Sequence, residues 1–289
     1  YEIVQGDWSS DVCSSDLLEW KLRNNPEGPG LIAVATERGK VVGMNAFVAT
    51  SFFVDGTKRR GYQSMDTIVS PEVRGRGVFG KLVETFYSGC DAALVYGFPN
   101  DNSAPGFFGK LGWASFGTVP MLIRPLRAGY FLRRLLKHAP DFRIPLLSKR
   151  HSLPELVTRF GQQDTESWDR FSVSCRCAVR RDADFLNWRL MDHPTGKYDV
   201  FRMPDGSFVA STLVAKHNGH IGYVMEAIGE ERPLTTLIAT ALWNLQRQGA
   251  DVALAWCLPH SSNYRSYRKA GFFPFPPSLR PIGINFGAK

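Results

Sequence analysis

The chain has 289 residues, 44% of them hydrophobic and 21% charged, and 35 Lys and Arg against 27 Asp and Glu give a formal net charge of +8. This is the make-up of a folded globular protein of one large or two medium domains, not of a disordered chain. No run approaches the ~20 apolar residues of a membrane-spanning helix, no RNP, zinc-finger or helix-turn-helix pattern accompanies the basic balance, and five cysteines without a regular framework argue against a disulfide scaffold and for a reducing, cytoplasmic compartment.

Residues 6–17 read GDWSSDVCSSDL, a Ser/Asp-rich stretch with neither helical nor strand period. It lacks the cationic start and apolar core of a signal peptide. It resembles translated sequencing-adapter runs, so residues 1–17 are expected to be a non-native segment outside the fold, with the true N-terminus further upstream.

Strands are expected over 31–36, 40–53 and 60–69, joined by hairpin turns at Glu37-Arg38-Gly39-Lys40 and Asp55-Gly56-Thr57. The third strand ends in a β-branched run, Thr67-Ile68-Val69, and meets the turn signal Ser70-Pro71. A basic, glycine-punctuated loop follows, Arg74-Gly75-Arg76-Gly77, and then Phe79, Leu82, Val83 and Phe86 recur at helical spacing, which predicts a helix over 76–89. Strand, cationic loop and helix N-terminus together suit a phosphate or pyrophosphate, because free N–H groups and the positive end of the helix dipole point at the ligand. Neither the Walker pattern GxxxxGK[ST] nor the dinucleotide fingerprint GxGxxG is present.

A strand is expected over 92–97, a short helix over 103–111 and a last strand over 115–124. Residues 95–113 read VYGFPNDNSAPGFFGKLGW. Capping of the short helix falls to Asn102 or Ser103.

The two patches together carry a resemblance. The form Arg-x-x-Gly-x opening a helix after a strand ending Val-Ser-Pro resembles the acyl-CoA loop of the GNAT N-acetyltransferase superfamily, whose usual form is Gln/Arg-x-x-Gly-x-Gly/Ala. Arg74 and Gly77 match, Phe79 stands at the Gly/Ala place, and Gly80 follows. Downstream, Asn100, Asn102, Lys110, Gly112 and Trp113 match the family's Asn-bearing segment and its Lys-x-Gly-aromatic ending. The resemblance covers residues 31–124.

It implies acetyl-CoA or another acyl-CoA as co-substrate, held by Ile68, Val69, Arg74, Gly75, Arg76, Gly77, Val78, Phe79, Gly80, Asn102 and Phe108. The acyl group would pass to an amine of a small molecule, sugar or peptide. Many members of the family place a Tyr two residues before the Lys of that ending, where it protonates the departing thiolate; here the place is Phe108, which has no proton to give. Asp66, an acid in the otherwise apolar QSMDTIV, is the first candidate base, and Asp101 and Asn102 are the second. A backbone N–H of strand 60–69 is the candidate to polarise the thioester carbonyl. No metal is expected: Cys175-x-Cys177 has no second pair at metal spacing. His138, His151, His217, His220 and His260 lie outside any motif, and His193 is unassigned.

Beyond residue 125 the composition changes. PLRAGYFLRRLLKHAPDFRIPLLSKR begins as a basic amphipathic stretch, with Leu126, Tyr130, Leu132, Leu135 and Leu136 interleaved with Arg127, Arg133, Arg134 and Lys137. It reads as a connector helix packed between two domains rather than a membrane-surface helix. The chain then repeats itself. Leu18-Glu19-Trp20-Lys21-Leu22 is echoed by Leu186-Asn187-Trp188-Arg189-Leu190, 168 positions on, and Pro26-x-Gly28 by Pro194-x-Gly196. Phe108-Gly109-Lys110-Leu111-Gly112-Trp113 is echoed by Tyr267-Arg268-Lys269-Ala270-Gly271-Phe272, 159 positions on.

Strands are expected over 198–203, 207–217, 220–228 and 252–257, with helices over 233–248 and 261–270. The expected organisation is α+β, a tandem of GNAT folds, each a mixed, mostly antiparallel sheet flanked by helices. An acyl-CoA domain spans 18–125, a connector and linker 126–175, and a second, degenerate copy 176–289. In that copy Gly229-Glu230-Glu231-Arg232-Pro233 replaces the cationic loop, and its two carboxylates repel a pyrophosphate. Tyr267 is expected to be a half-buried structural tyrosine. The alternatives are a non-catalytic acyl-CoA-binding or scaffold module, and a tandem-GNAT aminoacyl transferase of the cell-wall type. No nucleic-acid partner and no membrane span are expected.

Overall fold

The computed structural model describes residues 14–132, 141–146, 154–173, 175–216, 218–279 and 283–289. In chain order, α1 (Ser14–Leu22) precedes β1 (Leu31–Glu37), β2 (Lys40–Val54) and β3 (Thr57–Val69). Helix α2 (Val78–Gly89) and β4 (Leu94–Gly97) follow, then a π-helical turn (Pro105–Lys110), β5 (Ala114–Thr118), β6 (Met121–Pro125) and a short α3 (Gly129–Leu132). The middle of the chain holds β7 (Glu155–Leu156), α4 (Gln162–Ser172), β8 (Cys177–Val179) and α5 (Ala183–Leu186), which runs on as a second π-helical turn (Asn187–Met191). The last part holds β9 (Asp199–Arg202), β10 (Phe208–Lys216), β11 (Gly219–Ile228), α6 (Glu231–Arg247), β12 (Val252–Trp256), α7 (Tyr264–Lys269), β13 (Phe273–Pro274) and β14 (Asn285–Ala288). No described helix is long and apolar enough to cross a membrane.

These elements form two mixed sheets flanked by helices. The first has the order β1-β2-β3-β4-β14-β5, with β8 also on β2, and its only parallel pair is β3–β4. The second has the order β13-β6-β12-β11-β10-β9-β7, and its only parallel pair is β11–β12.

Chain continuity does not follow the sheets. The strand expected over 115–124 is two strands: Val119-Pro120 divides β5, in the first sheet, from β6, in the second. Proline has no N–H to continue a ladder, so the break falls there. The compact units are therefore drawn differently from the expected domains 18–125 and 176–289. Among the described residues the first compact unit runs to Val119 and takes back Ser172–Arg181 and 283–289; the second holds the stretches between. The expected outsider 6–17 is also corrected in part, since 14–17 begin α1; residues 6–13 lie outside the described residues. So do Arg133, Arg134, Leu135, Leu136 and Lys137 of the expected connector helix, and His138, His151 and His217.

In the first unit both hairpin turns place two consecutive residues at positive φ, Arg38-Gly39 and Asp55-Gly56, the geometry that matches strand twist. The apolar stripe of α2 (Leu82, Val83, Phe86) buries against one face of the sheet, with Phe47, Tyr62, Val95, Phe107 and Trp113. Phe47 and Phe86 stack with centroids 3.5 Å apart. The other face carries Phe52, Tyr96, Phe98, Phe286 and Ala288.

In the second unit α6 supplies Leu234, Leu237, Ile238, Leu242 and Leu245 to a core that also holds Cys257, Tyr267 and Phe272. Tyr267 is 3% exposed and packs edge-on against Phe272 at 5.4 Å, so it is a core residue rather than a half-buried one. Burial pushes the Cys257 thiol up to about 12 from its ordinary 9.0. The folded protein therefore keeps a proton that the unfolded chain releases above pH 9. The associated stability is complete below pH 9 and is lost as pH rises toward about 12. Urea midpoints of the native chain should fall more steeply over that window than those of Cys257→Ala; parallel curves would refute this.

Candidate functional site

The site is built where β3 and β4 part. They pair in parallel through Gly61–Leu94, Tyr62–Val95, Gln63–Tyr96 and Ser64–Gly97, and pairing stops there while β3 runs on to Val69. That leaves the last five residues of β3 without partners on the β4 side. Within this stretch β3 bulges: Met44 pairs with Ile68 but Ala46 with Met65, so β3 carries one extra residue opposite Asn45. Asp66 sits in the bulge at φ 49, and a bulged residue leaves its backbone out of the ladder.

A buried Asn fixes this geometry. Asn45 is fully buried; its Nδ2 donates to Thr67 Oγ1 and its Oδ1 accepts from Ser64 Oγ at 3.3 Å. Sequence reading passed over Asn45, although a single amide in the apolar VVGMNAFV is the signal that marks it. Nearby, Tyr96 Oη donates to Gln63 Oε1 at 3.1 Å, clasping the two strands at their third register pair.

Beyond Val69, a single 3-10 turn over Pro71–Val73 brings the chain to the loop. Gly75 (φ 80) and Gly77 (φ 79) both take the left-handed region, and Gly77 caps α2. The first bond into the helix is Lys81 N–H to Gly77 O at 3.2 Å, so the N–H groups of Gly77, Val78, Phe79 and Gly80 precede it. A Cβ on Gly75, Gly77 or Gly80 would meet no other atom within 4 Å, so this cradle opens to solvent.

Arg74 Nε donates to Val69 O at 3.2 Å, tying the loop to the strand end. Arg76 pairs with Glu37 at 3.3 Å, both side chains more than half exposed. An exposed pair of this kind is worth little, so an anion can take over the guanidinium. The Phe79 side chain turns the other way: its ring lies against Gly106 and meets Phe107 edge-on at 4.9 Å. Phe79 thus offers the cradle its backbone N–H, while its ring anchors α2 to the π-helical turn.

The other candidate residues divide. Ile68 and Val69 lie at the strand end beside the loop. The Asp66 carboxylate pairs with Lys21 at 3.1 Å on α1. Asn102 does not cap the following helix, and neither does Ser103. Ala104 stands at the helix cap with no side-chain bond; Asn100 closes the turn before it, its Oδ1 accepting from the N–H groups of Asn102 and Ser103 at 3.1 and 3.0 Å, because an Asx turn needs the acceptor two to three residues ahead of the donors. Asn102 is exposed, and no hydrogen bond joins its side chain to Asp66 or to the loop among the described residues. Phe108 packs its ring tip toward β14, where a Cβ on Gly287 would lie 2.4 Å from its Cε1.

The second unit also carries a bulged antiparallel pair, but no open basic loop at the start of α6. A bulge falls at the corresponding place, between Ala210 and Ser211 opposite β11. At the N-terminus of α6, however, Glu231 Oε1 pairs with Lys269 Nζ at 2.5 Å, which holds its carboxyl below the ordinary range. Pro233 has no N–H to offer. His193 is buried and its Nδ1 accepts from Thr195 and Gly196 N–H at 3.2 and 2.7 Å, a turn-capping role. Among the described residues no group of His, Cys, Asp and Glu could hold a metal ion.

Residues 10–116 match the family model described as an acetyltransferase (GNAT) domain. No curated protein matches the chain. Among solved structures, a GCN5-related N-acetyltransferase from Anabaena variabilis superposes with a TM-score of 0.66 at 14% identity, over 97% of this chain and 66% of that one. The N-myristoyltransferase of Saccharomyces cerevisiae with bound myristoyl-CoA superposes with a TM-score of 0.59 at 15% identity, over 94% and 69%. A GCN5-related glucosamine N-acetyltransferase region of a fungal multi-domain β-N-acetylglucosaminidase gives 0.53 at 18%, over 95% and 34%. The chain spans about two thirds of the length of the first two. At these identities the likeness is one of fold, and that fold is of the GNAT type.

Proposed function

We propose that the first unit is an acyl-CoA-dependent N-acyltransferase that moves an acetyl or other acyl group to the amine of a small molecule, sugar or peptide. The observation that carries this is the pairing of an open, doubly left-handed basic loop at the N-terminus of α2 with the parting of β3 from β4. The loop suits a pyrophosphate, since successive N–H groups, the helix dipole and two arginines converge there. The gap beside it suits an extended thiol-bearing arm that hydrogen-bonds to the free edge of β3.

In this reading the backbone N–H groups of the bulge at Asp66 face the thioester carbonyl and stabilise the charge that develops on its oxygen. The amine attacks the carbonyl carbon, the C–S bond breaks and the thiolate departs. Asp66 takes the proton from the attacking amine, directly or through a water, with Asn102 positioned on the loop after β4 as the second polar group of the site. The second unit is read as a sister copy that has given up the cradle; the matching Gly112 and Gly271 turns, at φ 68 and 93, support a common origin.

The test is direct. Calorimetry should show acetyl-CoA binding to the full chain, and a thiol-release assay with pooled amines should show turnover. Asp66→Asn should cut kcat by about 100- to 10,000-fold and leave acetyl-CoA affinity unchanged. An equal loss in both, or in neither, would remove Asp66 from the role of base. A second reading, a non-catalytic acyl-CoA-binding module, is favoured by Phe108: the place of the usual acid is taken by a ring packed against β14. Acetyl-CoA binding without thiol release from any amine would select it.

A further inference from the structure

The face of the first sheet turned away from α2 carries a row of rings that leaves the core cluster and ends in solvent. Phe98 follows the last paired residue of β4, on the same face as Tyr96, and the two rings meet edge-on at 5.9 Å. On the neighbouring strand β14, Phe286 stacks on Phe98 with centroids 5.2 Å apart and planes 17° from parallel. On β5, Phe116 lies 5.1 Å from Phe286. Phe116 is 57% exposed. The row therefore begins at the mouth of the β3–β4 gap and runs across two strands into solvent.

A carboxylate stands at the same end. Asp101 is exposed, and its Oδ1 accepts from Asn285 Nδ2 at 3.2 Å, while Asn285 Oδ1 accepts from Thr118 Oγ1 at 3.3 Å. Asn285 Nδ2 also donates to Pro99 O at 3.2 Å. These bonds hold the carboxylate over β14, between the loop after β4 and the strands that bear Phe286 and Phe116. Among the described residues no cation pairs with it. Stacked rings beside a carboxylate that no described cation pairs with suit a cation joined to a flat apolar body: the rings take the body and the face of the cation, and the carboxylate takes its charge.

We infer that this row is the acceptor subsite, and that the acceptor is a primary amine carried on an aromatic body. The purpose of the subsite rests on the acyl-transfer reading; its binding of the amine does not. Asp101 follows β4 by four residues and is held over β14, so in this inference an ammonium drawn to it is carried on the strand that borders the gap.

The experiment is calorimetry of the full chain with phenethylamine, phenethyl alcohol, spermidine and glucosamine, without any acyl-CoA, and separately with acetyl-CoA. Phenethylamine should bind best. Phe116→Ala, at an exposed position, should weaken it about five- to tenfold. Asp101→Asn should weaken phenethylamine by a similar factor and leave phenethyl alcohol unchanged. Both variants should bind acetyl-CoA as the native chain does. The inference is overturned if spermidine or glucosamine binds as well as phenethylamine, or if both variants bind phenethylamine like the native chain. If acetyl-CoA does not bind while phenethylamine shows the two-variant pattern, the subsite stands and the transferase reading falls; the opposite pattern removes the subsite and keeps the transferase.

Discussion

Gly77→Val binds acetyl-CoA on the order of 1,000-fold more weakly than the native chain, while the protein stays folded. Gly77 holds φ 79 at the cap of α2. A β-branched residue disfavours that conformation by about 1–2 kcal/mol, so the loop relaxes to another path and its N–H groups turn off the ligand. Two charge-assisted bonds lost at about 1.5–3 kcal/mol each account for the factor. Stability falls only by the smaller backbone term, because a Cβ there would touch nothing. Calorimetry with acetyl-CoA beside a thermal melt separates the two quantities. Unchanged affinity in a folded Gly77→Val protein would show that the loop is not the cradle. Gly77→Ala should fall between, since alanine tolerates positive φ better than valine does.

Deleting 284–289 unfolds the first unit. These residues form β14, which lies between β4 and β5 and pairs antiparallel with both. Val95 and Lys289 exchange N–H to O bonds in both directions at 2.8 Å, and Val119 N–H donates to Ile284 O. Removing the strand exposes two ladder edges and uncovers Tyr96, Phe98 and Phe108. With each unmade backbone bond worth about 1 kcal/mol and the apolar loss added, the total is on the order of 5 kcal/mol. That is comparable with the whole stability of many domains. Hydrogen exchange should show lost protection in β4 and β5, together with loss of acetyl-CoA binding. Native protection in the shortened chain would contradict the assignment of β14. Gly287→Val tests the same slot more gently, as its Cβ would meet Phe108 Cε1 at 2.4 Å and Ala114 O at 2.9 Å.

What the sequence discloses is what is local. The stripe of Phe79, Leu82, Val83 and Phe86 predicts α2, and the hairpin turns at Arg38-Gly39 and Asp55-Gly56 carry their φ requirement in their residue types. The RGRG loop is legible for the same reason. Cross-strand register is not legible in this way. The bulge at Asp66 exists because β2 and β3 slip by one residue, and Asn45 becomes important only once that slip is known. Asn100 rather than Asn102 closes the turn that leads into the π-helical turn, a choice among three polar neighbours that depends on where the helix starts. The exchange of β6 and β14 between the sheets is the least legible feature. Four- and five-residue strands carry little pattern, and their partners lie far off in the chain. The aromatic row was hidden for the same reason: Phe98, Phe116 and Phe286 become neighbours only when β14 takes its place.

The insertion of β14 also sets a clock. Asn285 bonds to Pro99 across 186 residues of chain, so the sheet that bears the Arg74–Gly77 loop cannot finish until β14 has left the ribosome. At the usual ~5–20 residues per second, residues 31–119 wait with β4 and β5 unjoined while residues 120–284 are made. Contacts of such long range slow folding, and during the wait the exposed edge of β4 is open to chaperones or to the same edge of another nascent chain. Expression at low temperature or with chaperones should therefore raise the yield of this protein more than that of a single-sheet protein of the same size.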